Sequence, residues 1–215
     1  SFPHIFAGKD RPSLVLSLDL NMWRTARGGA EIEAQRYMTT VEEAIRLGAD
    51  AVKLLLVMGR ADSGMQTDNM GYIAACAEAC SRWNIPLIVE PTLWGHAAPR
   101  DPELRREIIA DSTRIAVELG ADIVKIENPG DKLPFVTASC PVPVTILGGA
   151  KTDDAPGLLR QVAQTVKAGA RGVVFGRNVW QHPDPAQMVR ALCKVVHEED
   201  EEGAVALLKG EDRLV

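Results

Sequence analysis

The sequence lacks long apolar runs, basic blocks and a dense set of cysteines. Nothing in its 215 residues approaches the roughly 20 consecutive apolar residues that a membrane-spanning helix needs, and residues 1–4 lack the charged-then-apolar order of a secretion signal. A formal net charge of −5 without any basic block argues against contacts with nucleic-acid phosphates. We therefore expect a cytoplasmic protein with no membrane partner and no nucleic-acid partner.

The cysteines form neither a disulfide framework nor a convincing metal site. Cys76 and Cys80 stand at helical spacing, Cys140 and Cys193 are isolated, and no histidine lies close enough to complete a zinc site. We interpret the four as reduced thiols, with a metal site as the weaker interpretation, and we predict no metal and no cofactor.

The composition is that of an ordinary globular domain. With 46% hydrophobic and 25% charged residues over 215 positions, the chain is long enough to bury one sizeable core. We predict a single domain over residues 1–215.

Short apolar runs alternate with helical patterns along the chain. The runs have the branched, unbroken character of strands that are buried on both faces. They cover residues 14–20, 51–57, 87–90, 123–127, 144–147 and 172–175. Predicted helices lie between them, at 40–48, 70–83, 103–119, 155–168 and 185–197, and a final short helix follows the acidic run 198–202. No Asn-Gly hairpin signal is present, so we expect βαβ units and a parallel sheet throughout.

Polar residues at the strand ends favour a closed barrel over an open sheet. Asp19, Lys53, Glu90 and the two residues Lys125 and Glu127 lie in or at the C-terminal part of four strands, and those ends converge at one face of a barrel. We predict an α/β fold of the TIM-type (β/α) barrel class, with about six of eight units present and two N-terminal units missing. Such a barrel exposes a strand edge, which favours a homo-oligomer.

A short sequence phrase occurs three times, and two of its copies place a lysine in a predicted strand. Residues 47–53 read Leu-Gly-Ala-Asp-Ala-Val-Lys and residues 119–125 read Leu-Gly-Ala-Asp-Ile-Val-Lys, while the third copy, at 168–174, has no lysine. The repeat is therefore architectural, and the lysines are additions to it. Strand alternation predicts that Lys53 and Lys125 point into one cavity. Burial and a neighbouring cation favour a neutral, nucleophilic amine, which is Schiff-base chemistry. The alternative is that they reach solvent or pair with carboxylates.

Two carboxylates and two glycine loops complete the candidate site. Glu90 ends its strand before Pro91 and can neutralise a lysine or move protons, whereas Asp19 can bind substrate or simply accept from loop amides. The loops that follow the last two strands contain Gly148 and Gly149, and Gly176 and Arg177. Such loops in barrels bind phosphate through backbone N–H groups, although tight turns have the same composition.

These motifs resemble those of one enzyme family. Residues 49–56, 87–91, 121–125, 144–152 and 172–181 are similar to class I ketose-bisphosphate aldolases, in the tagatose-bisphosphate and archaeal-type fructose-bisphosphate branch. The resemblance implies that Lys125 is the Schiff-base lysine and that Lys53 and Glu90 are the other catalytic lysine and glutamate. It also implies that Gly148, Gly149, Gly176 and Arg177 hold a phosphate. The tyrosine of the archaeal fructose enzymes is replaced in the stretch 90–92, which favours the branch that uses glutamate and lysine.

The expected activity is that of an aldehyde-lyase that cleaves or forms a phosphorylated ketose, with a sugar phosphate as its small-molecule partner. Two alternatives remain: a transaldolase-type synthase that uses the same lysine with another acceptor, and a barrel that binds sugar phosphate without catalysis.

Overall fold

The computed structural model describes residues 11–25 and 31–210, and the chain falls into two compact units, Ser1–Val124 and Lys125–Val215. The assignment of residues 1–215 to a single domain stays a prediction. No helix within the described residues is both long and apolar enough to cross a membrane.

The first unit contains most of the strands. Its elements are β1 (Val15–Ser17), β2 (Asp19–Thr25), β3 (Glu31–Tyr37), α1 (Val41–Arg46), β4 (Ala51–Met58), α2 (Ser63–Trp83), β5 (Leu87–Leu93), α3 (Pro102–Glu118) and the start of β6 (Ile123–Ile126). Strand β4 pairs in parallel with β1 on one side and with β5 on the other, and β5 pairs in parallel with β6. The centre of β4 is apolar and fully buried, with Leu54, Leu56 and Val57 at 0% exposure, as a strand covered on both faces requires.

The second unit continues the alternation. It contains a 3₁₀ turn (Gly130–Lys132), α4 (Leu133–Ser139), β7 (Val144–Leu147), α5 (Ala155–Lys167), β8 (Gly172–Val174), α6 (Arg177–Trp180), α7 (Pro185–Glu198) and α8 (Glu201–Lys209). Strands β7 and β8 are parallel, and the strand order of the sheet is β1-β4-β5-β6-β7-β8. Leu159, Met188 and Ala204 belong to one buried cluster that joins α5, α7 and α8.

The glycines of the repeated phrase end three helices in the same way. Gly48, Gly120 and Gly169 follow α1, α3 and α5, and their φ angles are +84°, +97° and +98°. Only glycine adopts this left-handed conformation without strain, so the phrase stops each helix and turns the chain into the next strand.

The aspartates of the same phrase fasten neighbouring strands together. Asp50 accepts a hydrogen bond from the N–H of Leu14, just before β1, at 2.7 Å. Asp122 accepts one from the N–H of Leu87, at the start of β5, at 2.8 Å. Both carboxylates therefore do the same structural task in two copies, which agrees with an architectural repeat.

An antiparallel hairpin corrects the prediction that the sheet contains only βαβ units. Strands β2 and β3 pair over seven residues each, from Asp19 opposite Tyr37 to Thr25 opposite Glu31, and form a separate two-stranded sheet. The run 14–20, expected as one strand, is divided at Leu18 between β1 and β2. The hairpin contacts the rest of its unit through Tyr37, whose ring stacks on that of Tyr72 in α2.

Aspartate caps set the starts of several helices. The side chain of Asp62 accepts from the N–H groups of Gly64 and Met65, so α2 begins at Ser63 rather than at the predicted Met70. Thr40 accepts from the N–H of Glu43, as the predicted capping box requires at the start of α1. Helix α4 was not predicted from the sequence.

Candidate functional site

Lys53 and Glu90 form a buried ion pair in the first unit. Lys53 Nζ lies 2.6 Å from Glu90 Oε2, and the two side chains are 19% and 8% exposed. Strand register places Glu90 opposite Leu55, two residues beyond Lys53, so the ammonium group reaches toward the carboxyl ends of β4 and β5. A charge pair this far from water is strong only while both partners are present, because either one alone is a buried uncompensated charge.

Asp19 lies beside this pair and is itself 8% exposed. Its Oδ2 accepts from Gln35 Nε2 at 2.8 Å and from the N–H of Leu55 at 3.1 Å. Burial raises the pKa of Asp19 above its usual range, while the two hydrogen bonds and the positive charge of Lys53 act in the opposite direction. The carboxylate is therefore positioned by β3 and β4 and lies within the field of Lys53.

The polar network continues from Asp19 to an arginine that the sequence analysis did not single out. Gln35 Oε1 accepts from Arg60 Nη2 at 2.9 Å, and the same nitrogen donates to Asn21 Oδ1 at 2.7 Å. Arg60 is only 6% exposed, and this burial lowers its pKa from the usual value. Arg60 follows the carboxyl end of β4, so the strand-end argument applied to Lys53 and Glu90 also covers it.

Hairpin β2–β3 holds the loops around this network. Glu33 on β3 accepts from the backbone N–H of Ala61, beyond β4, at 3.2 Å and from that of His96, beyond β5. The hairpin absent from the predicted fold thus supplies four of the network's polar side chains, Asp19, Asn21, Glu33 and Gln35.

Lys125 belongs to the second unit and lies near the end of β6. Its neighbours Val124 and Ile126 are 0% exposed, whereas Lys125 is half-buried and Glu127 is exposed. This alternation places Lys125 on the opposite face of the strand from the two fully buried side chains. That Lys125 shares one cavity with Lys53 stays a prediction.

Asn178 joins the two glycine loops of the second unit. Its side chain is 5% exposed, donates to the C=O groups of Gly148 at 2.8 Å and Ala150 at 3.0 Å, and accepts from the N–H of Thr152 at 2.9 Å. Arg177 Nη2 donates to the C=O of Gly149 at 2.8 Å. The two loops are thus joined by hydrogen bonds of Asn178, which the sequence analysis did not select, and of Arg177. Phosphate binding by these loops stays a prediction.

Close packing explains two of the glycines. A Cβ atom at Gly148 would lie 2.8 Å from the ring of Phe175, and one at Gly176 would lie 2.6 Å from the ring of Trp180. Gly149 has φ of +62°, a conformation that favours glycine. Beside these loops lies a cavity of about 340 Å³, whose lining includes Gly148, Gly149 and Phe175.

The chain is similar to known aldolases in sequence. A family model described as "DeoC/LacD family aldolase" matches residues 7–182. A 2-amino-4,5-dihydroxy-6-oxo-7-(phosphonooxy)heptanoate synthase of Streptomyces griseus is 39% identical over 175 residues, which make up 80% of this chain and 61% of that protein. A class 1 fructose-bisphosphate aldolase of Thermoproteus tenax is 36% identical over 192 residues, 86% of this chain and 69% of that protein.

Solved structures agree with the sequence comparisons. A Schiff-base-forming fructose-1,6-bisphosphate aldolase superposes with a TM-score of 0.73 at 31% identity, and the match covers 88% of this chain and 73% of that one. Together with the order of parallel strands, this likeness confirms the predicted fold class, α/β with the β/α units of a TIM-type barrel. By its family model and by its relatives, the chain belongs to the DeoC/LacD family of aldolases.

Proposed function

We propose that this protein is a Schiff-base aldolase that cleaves or forms a phosphorylated ketose, with Lys125 as the nucleophile. Family membership supports the class of reaction, and the ion pair of Lys53 with Glu90 supports the division of roles. An ammonium group held by a carboxylate at 2.6 Å has no lone pair to attack a carbonyl. Lys53 is therefore assigned a supporting role, and Lys125 is assigned to the covalent step because residues 121–125 resemble the motif that contains the Schiff-base lysine of these aldolases.

The reaction then runs as follows. The amine of Lys125 adds to the ketose carbonyl, and the carbinolamine loses water to give an iminium. Glu90 removes the proton from the hydroxyl on the fourth carbon, the bond between the third and fourth carbons breaks, and its electrons pass to the iminium to give an enamine. The released aldehyde leaves, the enamine is protonated on carbon, and hydrolysis returns the free lysine.

Other residues bind and orient in this proposal. Lys53 stabilises the charge on Glu90 and orients the departing hydroxyl, and Asp19 binds a substrate hydroxyl. Gly148, Gly149, Gly176 and Arg177 bind the phosphate, with Asn178 keeping the two loops in register. The substrate partner is a sugar phosphate.

Borohydride trapping tests the proposal. Reduction in the presence of dihydroxyacetone phosphate should attach the three-carbon phosphate to the peptide that contains Lys125, and Lys125→Met should abolish the adduct. An adduct on Lys53 would reverse the assigned roles. If correctly folded protein gives no adduct, the aldolase proposal is wrong; a rise in Tm with sugar phosphate would then indicate a binding protein, because a ligand of the folded state stabilises it.

A synthase is the second candidate, and one relative favours it. The Streptomyces griseus protein, which is 39% identical, is named a synthase of a phosphorylated amino-acid derivative rather than of a ketose bisphosphate. The same Lys125 enamine would then add to an acceptor aldehyde that is not a sugar phosphate. Product analysis with and without candidate acceptors separates this activity from ketose cleavage.

A further inference from the structure

The network around Arg60 contains two buried donors without an acceptor. Within residues 11–25 and 31–210, Arg60 Nε and Asn21 Nδ2 are the buried side-chain polar atoms that have no hydrogen-bond partner. They are close together, because Arg60 Nη2 donates to Asn21 Oδ1 of the same amide at 2.7 Å. A buried donor without a partner is costly, so two neighbouring ones indicate a place where an acceptor binds.

Within the part of the chain that the structure describes, the hydrogen bonds that Arg60 donates go to neutral groups. Its guanidinium donates to Asn21 Oδ1, Gln35 Oε1 and Met65 Sδ, the last at 3.0 Å. Glu33, Asp19 and Tyr37 act on Arg60 only through their charge, and burial outweighs them. A buried guanidinium with neutral partners and a remaining N–H suits an oxyanion, which arginine recognises with strong charge-assisted hydrogen bonds.

The position of Arg60 indicates which half of the substrate it would contact. Hydrogen bonds join Arg60 to Gln35 and Gln35 to Asp19, and Asp19 lies within the field of Lys53, which pairs with Glu90, all within the first unit. Under the proposed function, Glu90 takes the proton from the hydroxyl that becomes the aldehyde oxygen. The network therefore extends along the aldehyde half of the substrate, whereas the phosphate of the ketone half is assigned to the glycine loops.

The geometry points to Arg60 and Asn21 as the subsite for a terminal oxyanion, carboxylate or phosphate, on the aldehyde substrate. This inference rests on the proposed function and adds a specificity-determining pair to it. Asn21 Nδ2 and Arg60 Nε supply the two donors, and Gln35 and Met65 hold the guanidinium in place. The protein would accordingly prefer an anionic aldehyde to a neutral one of similar size.

The test compares three aldehydes in condensation with dihydroxyacetone phosphate: D-glyceraldehyde 3-phosphate, succinic semialdehyde and neutral D-glyceraldehyde. Asn21→Asp keeps the oxygen that accepts from Arg60 and replaces the free N–H₂ by a second carboxylate oxygen. This variant should raise KM for the preferred anionic aldehyde by about 10- to 100-fold, because a charge-assisted hydrogen bond is lost and repulsion is added. KM for D-glyceraldehyde should stay within about twofold. The aldehyde that shows the larger change identifies phosphate or carboxylate as the group bound.

Further variants keep the outcome interpretable. Arg60→Met should give the same selective rise in KM, and Arg82→Met serves as a matched control because Arg82 is an exposed arginine that pairs with Glu78 on its own helix. Equal changes in KM for neutral and anionic aldehydes, or no change in either variant, would overturn the inference. Borohydride trapping with dihydroxyacetone phosphate alone involves no aldehyde. Its success in Asn21→Asp, whatever the KM values, shows the proposed function separately from this subsite.

Discussion

At the scale of single residues, the ion pair of Lys53 with Glu90 gives a prediction for catalysis and one for stability. Glu90→Gln removes the proposed proton acceptor, so kcat should fall by about 10²- to 10⁴-fold, the usual contribution of a positioned acid or base. The same change leaves Lys53, with its side chain 19% exposed, without its carboxylate, and the free energy of unfolding should fall by about 3 kcal/mol. Steady-state kinetics and urea unfolding measure the two effects.

A double-variant cycle checks that the pair itself is responsible. Lys53→Met combined with Glu90→Gln removes both charges. The loss of unfolding free energy in this double variant should be smaller than the sum of the two single losses by at least about 1 kcal/mol. Additive losses would show that the two side chains stabilise the fold independently and would contradict the pairing. The Lys125 adduct should still form in Glu90→Gln, because the carboxylate is assigned to bond cleavage.

At the scale of elements, the repeated phrase makes matched glycine substitutions possible. Gly48 and Gly120 both have positive φ, but a Cβ at Gly48 meets nothing within 4 Å, whereas one at Gly120 would lie 2.6 Å from the Cβ of Ala77 in α2. Gly48→Ala should therefore cost about 1–2 kcal/mol from backbone conformation alone. Gly120→Ala should cost a further 1–3 kcal/mol, roughly, from overpacking of α3 against α2.

The excess cost at Gly120 has its own control. Ala77→Gly removes the methyl group that the new Cβ would meet, so it should relieve most of that excess when combined with Gly120→Ala, after correction for the helix penalty of glycine in α2. Urea unfolding of the parent protein, Gly120→Ala, Ala77→Gly and the double variant gives the comparison. Equal losses in Gly48→Ala and Gly120→Ala would show that the contact with Ala77 relaxes without cost.

Element boundaries also show what sequence can and cannot predict. Strands β4 and β7 were predicted almost to the residue because both are short runs of mainly apolar residues, and each contains branched side chains. The first turns of α2 were missed because residues 63–69 are polar and start with an aspartate cap rather than an apolar period. Hairpin β2–β3 was missed because its connection has no Asn-Gly turn and its residues do not form an apolar run.

At the scale of the whole molecule, the alternation of strands and helices could be predicted and hydrogen-bond partners could not. The succession of strand and helix, with polar residues at strand ends, was enough to predict the fold class and to draw attention to Lys53, Glu90 and Lys125. Gln35 and Asn178 stand in no distinguishing sequence pattern. Their roles depend on which distant carbonyl groups and side chains the fold brings within hydrogen-bond distance of them. The roles of the predicted site residues stay predictions until trapping and kinetics test them.

The acid dependence of global unfolding depends in part on one pair that joins distant parts of the chain. Asp50 accepts two hydrogen bonds from Arg11, at 2.6 Å and 2.9 Å, and one from the N–H of Leu14, and these contacts hold the segment before β1 to the start of β4. The Arg11 hydrogen bond, with that of Leu14, lowers the pKa of Asp50 from 3.8 to about 2. A carboxyl with a lowered pKa in the folded state stabilises that state above its unfolded pKa and loses the effect as the pH falls through the folded value.

Asp50→Asn should therefore be less stable than the parent protein by a constant amount above about pH 5, and the difference should shrink as the pH falls from about 4 to about 2. Urea unfolding across this range gives the difference profile. The difference between the two proteins is the quantity to follow. Burial raises the pKa of Asp19, so its contribution to stability has the opposite pH dependence, but this contribution is the same in both proteins and cancels in the difference. Arg11→Met should remove most of the same acid-dependent difference, since Arg11 is its first cause. Parallel profiles for Asp50→Asn and the parent protein between pH 5 and pH 2 would show that this carboxylate does not couple protonation to folding.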